Sequence, residues 1–202
     1  MVRLYVGLEA PSGDDVLHVP LIKIVPKSNV DCNIPQETTH IIVTSKTTVA
    51  ICTSIFAKQS LPFISVGRST TLALTALGIS NVLTASNECQ EGIIQLIDAG
   101  QFTQPHFFWP HSSLSRPTLK KYFLKKGYAF TECTLYDTVF TEPTISVDLQ
   151  KITQIHFTSP STVDAYFQYF GAPPSHVKLH TIGPVTKAHL DHKIKGCAIF
   201  SK

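Results

Sequence analysis

Ile41-Ile42-Val43-Thr44-Ser45-Lys46-Thr47-Thr48-Val49 is answered later in the chain by Ile155-His156-Phe157-Thr158-Ser159-Pro160-Ser161-Thr162-Val163. A second matched phrase follows each: Ile64-Ser65-Val66-Gly67-Arg68-Ser69-Thr70-Thr71 in the first copy and His180-Thr181-Ile182-Gly183-Pro184-Val185-Thr186 in the second. The copies stay in step to within two residues, and two phrases shared in one order predict two related lobes. Each phrase is a short apolar run that ends in a polar turn and then takes up helical spacing, the pattern of a strand feeding a helix. Ser159 can cap the helix that Pro160 opens, because its hydroxyl satisfies an orphan amide and proline has none to orphan. Pro184 stands in the same place after Gly183. Four such turns present backbone N–H groups at the carboxyl ends of strands, where open α/β sheets bind ligands and where anions are favoured. Taken singly, each hydroxyl reads equally as an ordinary helix cap; the repetition of the whole phrase points to a ligand cleft.

Outward from these phrases, residues 38–130 alternate strand and helix. Strands are predicted at His40–Thr44, Pro62–Val66, Asn81–Thr84 and His106–Trp109, and helices at Thr47–Lys58, Ser69–Leu77, Cys89–Ala99 and Pro117–Lys126. Gly78 and Gly127 fall where a helix C-terminus favours glycine. Arg3–Gly7 reads as a first strand followed by a turn with no room for a helix. Beyond the middle segment, strands are predicted at Gln154–Thr158, Lys178–Ile182 and Cys197–Phe200, and helices at Pro160–Phe170 and Pro184–His192. The expected organisation is a discontinuous terminal α/β lobe (1–15 plus 145–202), an inserted α/β lobe (27–130), and connecting strands at 16–26 and 131–144. Strands of the inserted lobe are apolar on both faces, as a sheet covered on both sides requires. Those of the terminal lobe alternate, with Leu4, Val6, Ile155, Phe157 and Leu179 on one face and Arg3, Tyr5, His156, Lys178 and His180 on the other. One face of that sheet is expected to be uncovered.

With 43% hydrophobic residues, 202 residues can build two small cores. The formal charge of +3 comes without a basic block, and Lys120, Lys121, Lys125 and Lys126 share one amphipathic helix. A solvated face, and not nucleic-acid binding, is the reading. Five scattered cysteines without a C-x-x-C pair fit reduced thiols and a cytoplasmic protein better than a disulfide frame or zinc site. No secretory signal and no apolar run of membrane-spanning length is present, so no membrane partner is expected.

The ordered set Val43-Thr44-Ser45, Val66-Gly67-x-x-Thr70, Leu135-Tyr136-Asp137-Thr138, Phe157-Thr158-Ser159-Pro160-Ser161 and Ile182-Gly183-Pro184-x-Thr186 resembles the uroporphyrinogen-III synthase family. The resemblance spans residues 16–196. It implies an α/β fold of two flavodoxin-like, doubly wound parallel-sheet lobes joined by a two-stranded connector, with the terminal lobe trimmed of helices. It also implies a monomeric, cofactor-free, metal-free lyase. Such enzymes close linear hydroxymethylbilane to uroporphyrinogen III, inverting the last pyrrole ring through an azafulvene and a spiro intermediate. The unassisted bilane cyclises without inversion, so the enzyme's task is positioning and stabilisation of developing charge.

By motif position the resemblance makes Tyr136 the candidate catalytic residue, since a phenol stays protonated at neutral pH and can donate to a leaving hydroxyl. Substrate carboxylates are expected at Thr44, Ser45, Gly67, Thr70, Thr158, Ser159, Ser161, Lys178, Gly183 and Thr186. Lys46 and Arg68 replace residues that are often proline in the family, Leu8-Glu9-Ala10-Pro11 replaces its usual Arg-Pro, and its first and last helices have no counterpart. Outside the resemblance, a bilobed protein that binds a small anion without chemistry would use the same turns, and a flavin-binding regulator would share the fold class. His189 with His192 could share a helix face toward a metal, but no third ligand has suitable spacing. Neither G-x-G-x-x-G nor G-x-x-x-x-G-K-[ST] occurs, which excludes the common nucleotide-binding fingerprints.

Overall fold

The computed structural model describes residues 2–28 and 32–199. The chain divides into two compact units, Met1–Ile24 with Thr138–Lys202, and Val25–Asp137. The second unit is built on a six-stranded sheet of order β3-β8-β7-β4-β5-β6. Its strands are β3 (Ile22–Pro26), β4 (His40–Val43), β5 (Phe63–Ser65), β6 (Val82–Thr84), β7 (His106–Ser112) and β8 (Ala129–Phe140). The pairs β7–β8, β7–β4, β4–β5 and β5–β6 are all parallel. Consecutive parallel strands need crossovers, and helices α1 (Lys46–Ile51), α2 (Thr53–Phe56), α3 (Arg68–Ala76), α4 (Gln90–Ala99) and α5 (Thr118–Lys126) supply them. Ile42, Ile64, Phe107 and Trp109 pack with Ile93, Ile97, Leu119 and Phe123 on one face. Ile41, Val43, Phe63 and Phe108 point the other way and are equally buried, as an inward-facing strand run on both sides requires. Gly78 and Gly127, at φ +83° and +69°, end α3 and α5 in the left-handed region that glycine enters without steric cost.

The first unit carries a four-stranded sheet of order β10-β9-β1-β2, parallel throughout. Its strands are β1 (Val2–Tyr5), β2 (Val16–His18), β9 (Ile152–Phe157) and β10 (Lys178–Thr181), with helices α6 (Pro160–Phe170) and α7 (Pro184–Ile199). No helix joins β1 to β2; the loop between them is closed by a bidentate Arg3–Asp15 pair, Nε to Oδ2 at 3.0 Å and a second guanidinium nitrogen to Oδ1 at 2.5 Å. One sheet face packs Leu4, Val6, Ile155 and Phe157 against Val163, Tyr166 and Leu190 of the two helices. The opposite face carries Arg3, Gln154 and Lys178 in one register row and Tyr5, His156 and His180 in the next. His156 stacks on His180 at 4.7 Å and lies 6.2 Å from Tyr5, which is 6.0 Å from His18. Period-two alternation therefore placed both faces as the sequence predicts.

Three elements differ from expectation. Residues 197–199, expected as a strand, continue α7, which runs through Gly196 to Ile199; Phe200 lies outside the described residues. The helix predicted over 47–58 is broken at Cys52 into α1 and α2, where the backbone leaves helical geometry at φ −93° and ψ 14°. Val16–His18, read as part of a connecting strand, pairs in parallel with β1 as β2. The connecting segments 22–26 and 129–140 form β3 and β8, neighbours in the sheet, and each carries the chain across the boundary between the units.

Candidate functional site

In the second unit the turn after β4 and the strand β8 bring the sequence-predicted Ser45 and Tyr136 together. Thr44 and Ser45 follow β4, and Ser45 is the N-cap of α1, its Oγ accepting the Thr48 amide at 3.1 Å. Tyr136, near the middle of β8, is opposite Ser112 in the register and 96% buried. Its hydroxyl lies 2.9 Å from Ser45 Oγ, which also lies 3.0 Å from Thr48 Oγ1. The Ser113 amide donates to the Tyr136 carbonyl at 3.0 Å, fixing the strand beneath the phenol. Ser45 has one proton and accepts one amide. Given to Tyr136, that proton leaves the phenol O–H free to donate outward; given to Thr48, it leaves Ser45 to accept from the phenol. The arrangement is a hydroxyl chain anchored on a helix N-terminus. Beside it, a hydrogen bond from Ser113, assisted by Lys27 at 3.4 Å, holds the Asp137 carboxyl below its ordinary value.

Gly67 is the N-cap of α3, and its carbonyl accepts the amides of Thr70 and Thr71 at 3.1 and 3.0 Å. The Arg68 amide at this helix start is already engaged: Glu88 Oε1 accepts from it at 2.8 Å. The Glu88 side chain fills the space a Cβ on Gly67 would need, its Cγ at 2.6 Å from that position. An internal carboxylate thus sits on the turn that the sequence leaves open. Glu88 belongs to the loop after β6, and no local signal in the sequence marks it for this turn. Thr70 is buried in the first turn of α3. The hydroxyl network here belongs instead to Thr71, which lies 2.5 Å from Ser65 Oγ and 2.7 Å from Thr84 Oγ1.

The first unit repeats the first turn closely. Ser159 caps α6 with a full capping box: its Oγ accepts the Thr162 amide at 3.3 Å, while Thr162 Oγ1 accepts the Ser159 amide at 3.2 Å. Ser161 Oγ is 2.8 Å from Ser159 Oγ, and Thr162 Oγ1 also accepts the Thr158 amide at 3.1 Å. Thr158 packs where Gly7 leaves room, its Cγ2 only 2.7 Å from the position a Cβ on Gly7 would take. Gly183 and Pro184 open α7 beside a shallow depression that Thr181, Ile182, Lys187 and Asp191 also line. Thr186 is buried in the first turn of α7. Lys178 is exposed at the start of β10, in the row with Gln154 and Arg3 on the face opposite α6 and α7. His189 and His192 do not converge. His189 Nε2 is 3.0 Å from Asp164 on α6, which Lys193 also reaches at 2.8 Å. Among the described residues no group of three or more His, Cys, Asp or Glu is placed to hold a metal ion. No helix among them is long and apolar enough to cross a membrane.

Parallel sheets whose strands end in hydroxyl-bearing turns that open helices define the class as a parallel α/β protein. A family model described as uroporphyrinogen-III synthase HemD matches residues 7–199, and the chain belongs to that family. It acts as the family does, as a cyclising lyase of tetrapyrrole biosynthesis that converts hydroxymethylbilane to uroporphyrinogen III. Among solved structures the chain is similar to uroporphyrinogen-III synthetase from Helicobacter pylori, with a TM-score of 0.66 at 16% identity over 95% of this chain and 88% of that one. It is also similar to a mutant uroporphyrinogen III synthase from Thermus thermophilus, with a TM-score of 0.59 at 15% identity over 95% and 89%. The wild-type Thermus thermophilus enzyme gives a TM-score of 0.55 at 15% identity over 95% and 88%. A comparison with curated protein sequences gave no match.

Proposed function

We propose that Tyr136, positioned by Ser45, assists departure of the bilane hydroxyl, and that the strand-to-helix turns of the two units hold the substrate's carboxylates. The observation that carries this reading is the 2.9 Å contact between a buried phenol and the helix-capping hydroxyl of Ser45. The phenol donates its proton to the leaving oxygen as the carbon–oxygen bond breaks, water departs, and the azafulvene remains. Ser45, turning its O–H toward the phenol oxygen, stabilises the charge that develops there. Ring closure onto the last pyrrole and its inversion through the spiro intermediate release one proton, which restores the phenol. The net reaction loses one water and needs no redox partner.

Substrate carboxylates are assigned to Thr44 and Ser45 at α1, to Gly67 and Thr70 at α3, to Thr158, Ser159 and Ser161 at α6, and to Gly183 and Thr186 at α7. Lys178 is assigned a supporting charge. At α3 a substrate carboxylate takes the place of Glu88, which already satisfies that helix start. The chain is proposed to act as a cytoplasmic monomer, consistent with its mild net charge and scattered cysteines.

The test offers freshly made hydroxymethylbilane to the purified protein and separates the oxidised porphyrin isomers. An excess of type III over the spontaneous type I is expected. Type I alone, from folded protein, would overturn the catalytic reading and leave an anion-binding member of the fold.

A further inference from the structure

The cysteines look isolated in the sequence, yet folding brings two of them together. Cys32 Sγ lies 4.0 Å from Cys52 Sγ, across 20 positions of chain. Both side chains are buried, Cys52 fully and Cys32 with 8% of its surface exposed. Cys52 occupies the break between α1 and α2, held by its amide to the Thr48 carbonyl at 3.0 Å and by its carbonyl accepting from Ile55 and Phe56 at 3.0 and 2.8 Å. It caps nothing with its side chain. A disulfide bond of about 2.05 Å requires the sulfurs to approach by roughly 2 Å from their present separation.

We propose that Cys32 and Cys52 are a redox pair that closes to an intramolecular disulfide when the protein meets a low-molecular-weight disulfide. The exposed edge of Cys32 sets the order of events. Its thiolate attacks one sulfur of the small disulfide; a protein–small-molecule disulfide forms, the oxidant's S–S bond breaks, and one small thiolate leaves. The Cys52 thiolate then attacks Cys32 sulfur, forms the Cys32–Cys52 bond and expels the second small thiolate. The two protons released by the cysteines go to the two departing thiolates, and the small disulfide is the species reduced. The bond ties the far end of α1 to the segment at Cys32. The near end of α1 is the one on which Ser45 meets Tyr136, so the closed form restrains the helix that carries this contact. The inference concerns thiol chemistry alone and stands whether or not the catalytic reading holds.

The experiment incubates the whole protein with oxidised glutathione, quenches in acid, alkylates free thiols under denaturing conditions and maps peptides without reduction. The expected result is one linked pair of peptides containing Cys32 and Cys52, a mass lower by two hydrogens, and two fewer alkylated thiols. Cys89 and Cys133 stay alkylated, amide exchange slows across Lys46–Ile51, and dithiothreitol reverses every change. A Cys52→Ser variant is expected to stop at the first step and keep glutathione on Cys32. Wild-type protein that retains every thiol, that keeps glutathione on Cys32, or that links Cys32 to a different cysteine would overturn the proposal. Should Cys52→Ser fail to fold, the wild-type map decides alone.

Discussion

The two units solve one sheet problem in opposite ways. In the unit of residues 25–137 the strands are covered on both sides, and Ile41, Ile42, Phe63, Ile64 and Phe107 have no exposed surface. In the other unit the described helices pack on one side, and a stacked His156–His180 pair with Tyr5 occupies the opposite face. The difference traces to one connection. Where β4 reaches β5 through helices, β1 reaches β2 through a bare loop clamped by Arg3 and Asp15. A parallel sheet that omits a crossover helix must put side chains on the open face that tolerate water, and imidazole, guanidinium and ammonium groups do so. The capped turns at Ser45 and Ser159 are alike in both units because they depend on the carboxyl ends of strands and not on how the faces are covered.

The largest expected effect comes from the two cores. Phe157→Ala and Phe107→Ala each remove a fully buried ring and are expected to cost about 3–5 kcal/mol. Trp109, the single tryptophan, is buried in the Val25–Asp137 unit and reports on it alone. In urea, Phe157→Ala should move the far-UV dichroism transition while leaving the tryptophan transition nearly in place, and Phe107→Ala should move the tryptophan transition. Equal movement of both probes in both variants would mean the units unfold as one and would break the comparison.

Next come the matched caps. Ser45→Ala and Ser159→Ala each remove an N-cap hydroxyl and should destabilise by about 1 kcal/mol, measured by denaturant midpoint. Only Ser45→Ala also releases Tyr136, so it should lower turnover well beyond Ser159→Ala at similar loss of stability. Equal turnover in the two variants would remove the positioning role from Ser45.

A smaller effect separates the units by pH. Burial, with His180 and Arg3 adding like charge, holds the His156 imidazole below its ordinary value of 6.5. The folded state therefore binds this proton less readily than the unfolded chain. The stability this represents is present above pH 6.5 and is lost as pH falls through the lowered folded value. A His156→Gln variant should flatten that dependence in thermal melts between pH 7 and 5.

Smallest is the Glu91–Arg116 pair in the doubly covered unit. Its bidentate contacts, both 2.6 Å, hold the Glu91 carboxyl at about 2 against an ordinary 4.5. That contribution is complete above pH 4.5, fades below it and is gone once pH falls through 2. Solvent screening keeps it well under ~1 kcal/mol. Glu91→Gln should remove the dependence in that window and leave stability at pH 7 nearly unchanged.

Periodicity carried much of this into the sequence. Alternation along β1, β9 and β10 placed each side chain on its observed face, and Gly78 and Gly127 marked two helix ends through their left-handed backbone. The capping role of Ser159 was legible because a hydroxyl before a proline-opened helical run has one common use. Long-range partners were not legible. Nothing in Glu88 announces that its carboxylate lies on the α3 turn, and nothing in Cys32 announces Cys52, because both meetings depend on how loops close after the strands pair. The end of α7 differs for a local reason: Gly196 followed by the apolar Cys197, Ala198 and Ile199 has the pattern of a helix stop and a strand, yet α7 runs through it.

Tyr136→Phe removes one oxygen and keeps the ring in its buried place, and so tests the role of the phenol most directly. Single-turnover analysis with hydroxymethylbilane should show binding within a few-fold of the parent, a rate of type III formation lower by on the order of 10²-fold, and a product shifted toward type I. An unchanged rate and isomer ratio would contradict the account and leave the phenol as a strand residue bonded to a helix cap.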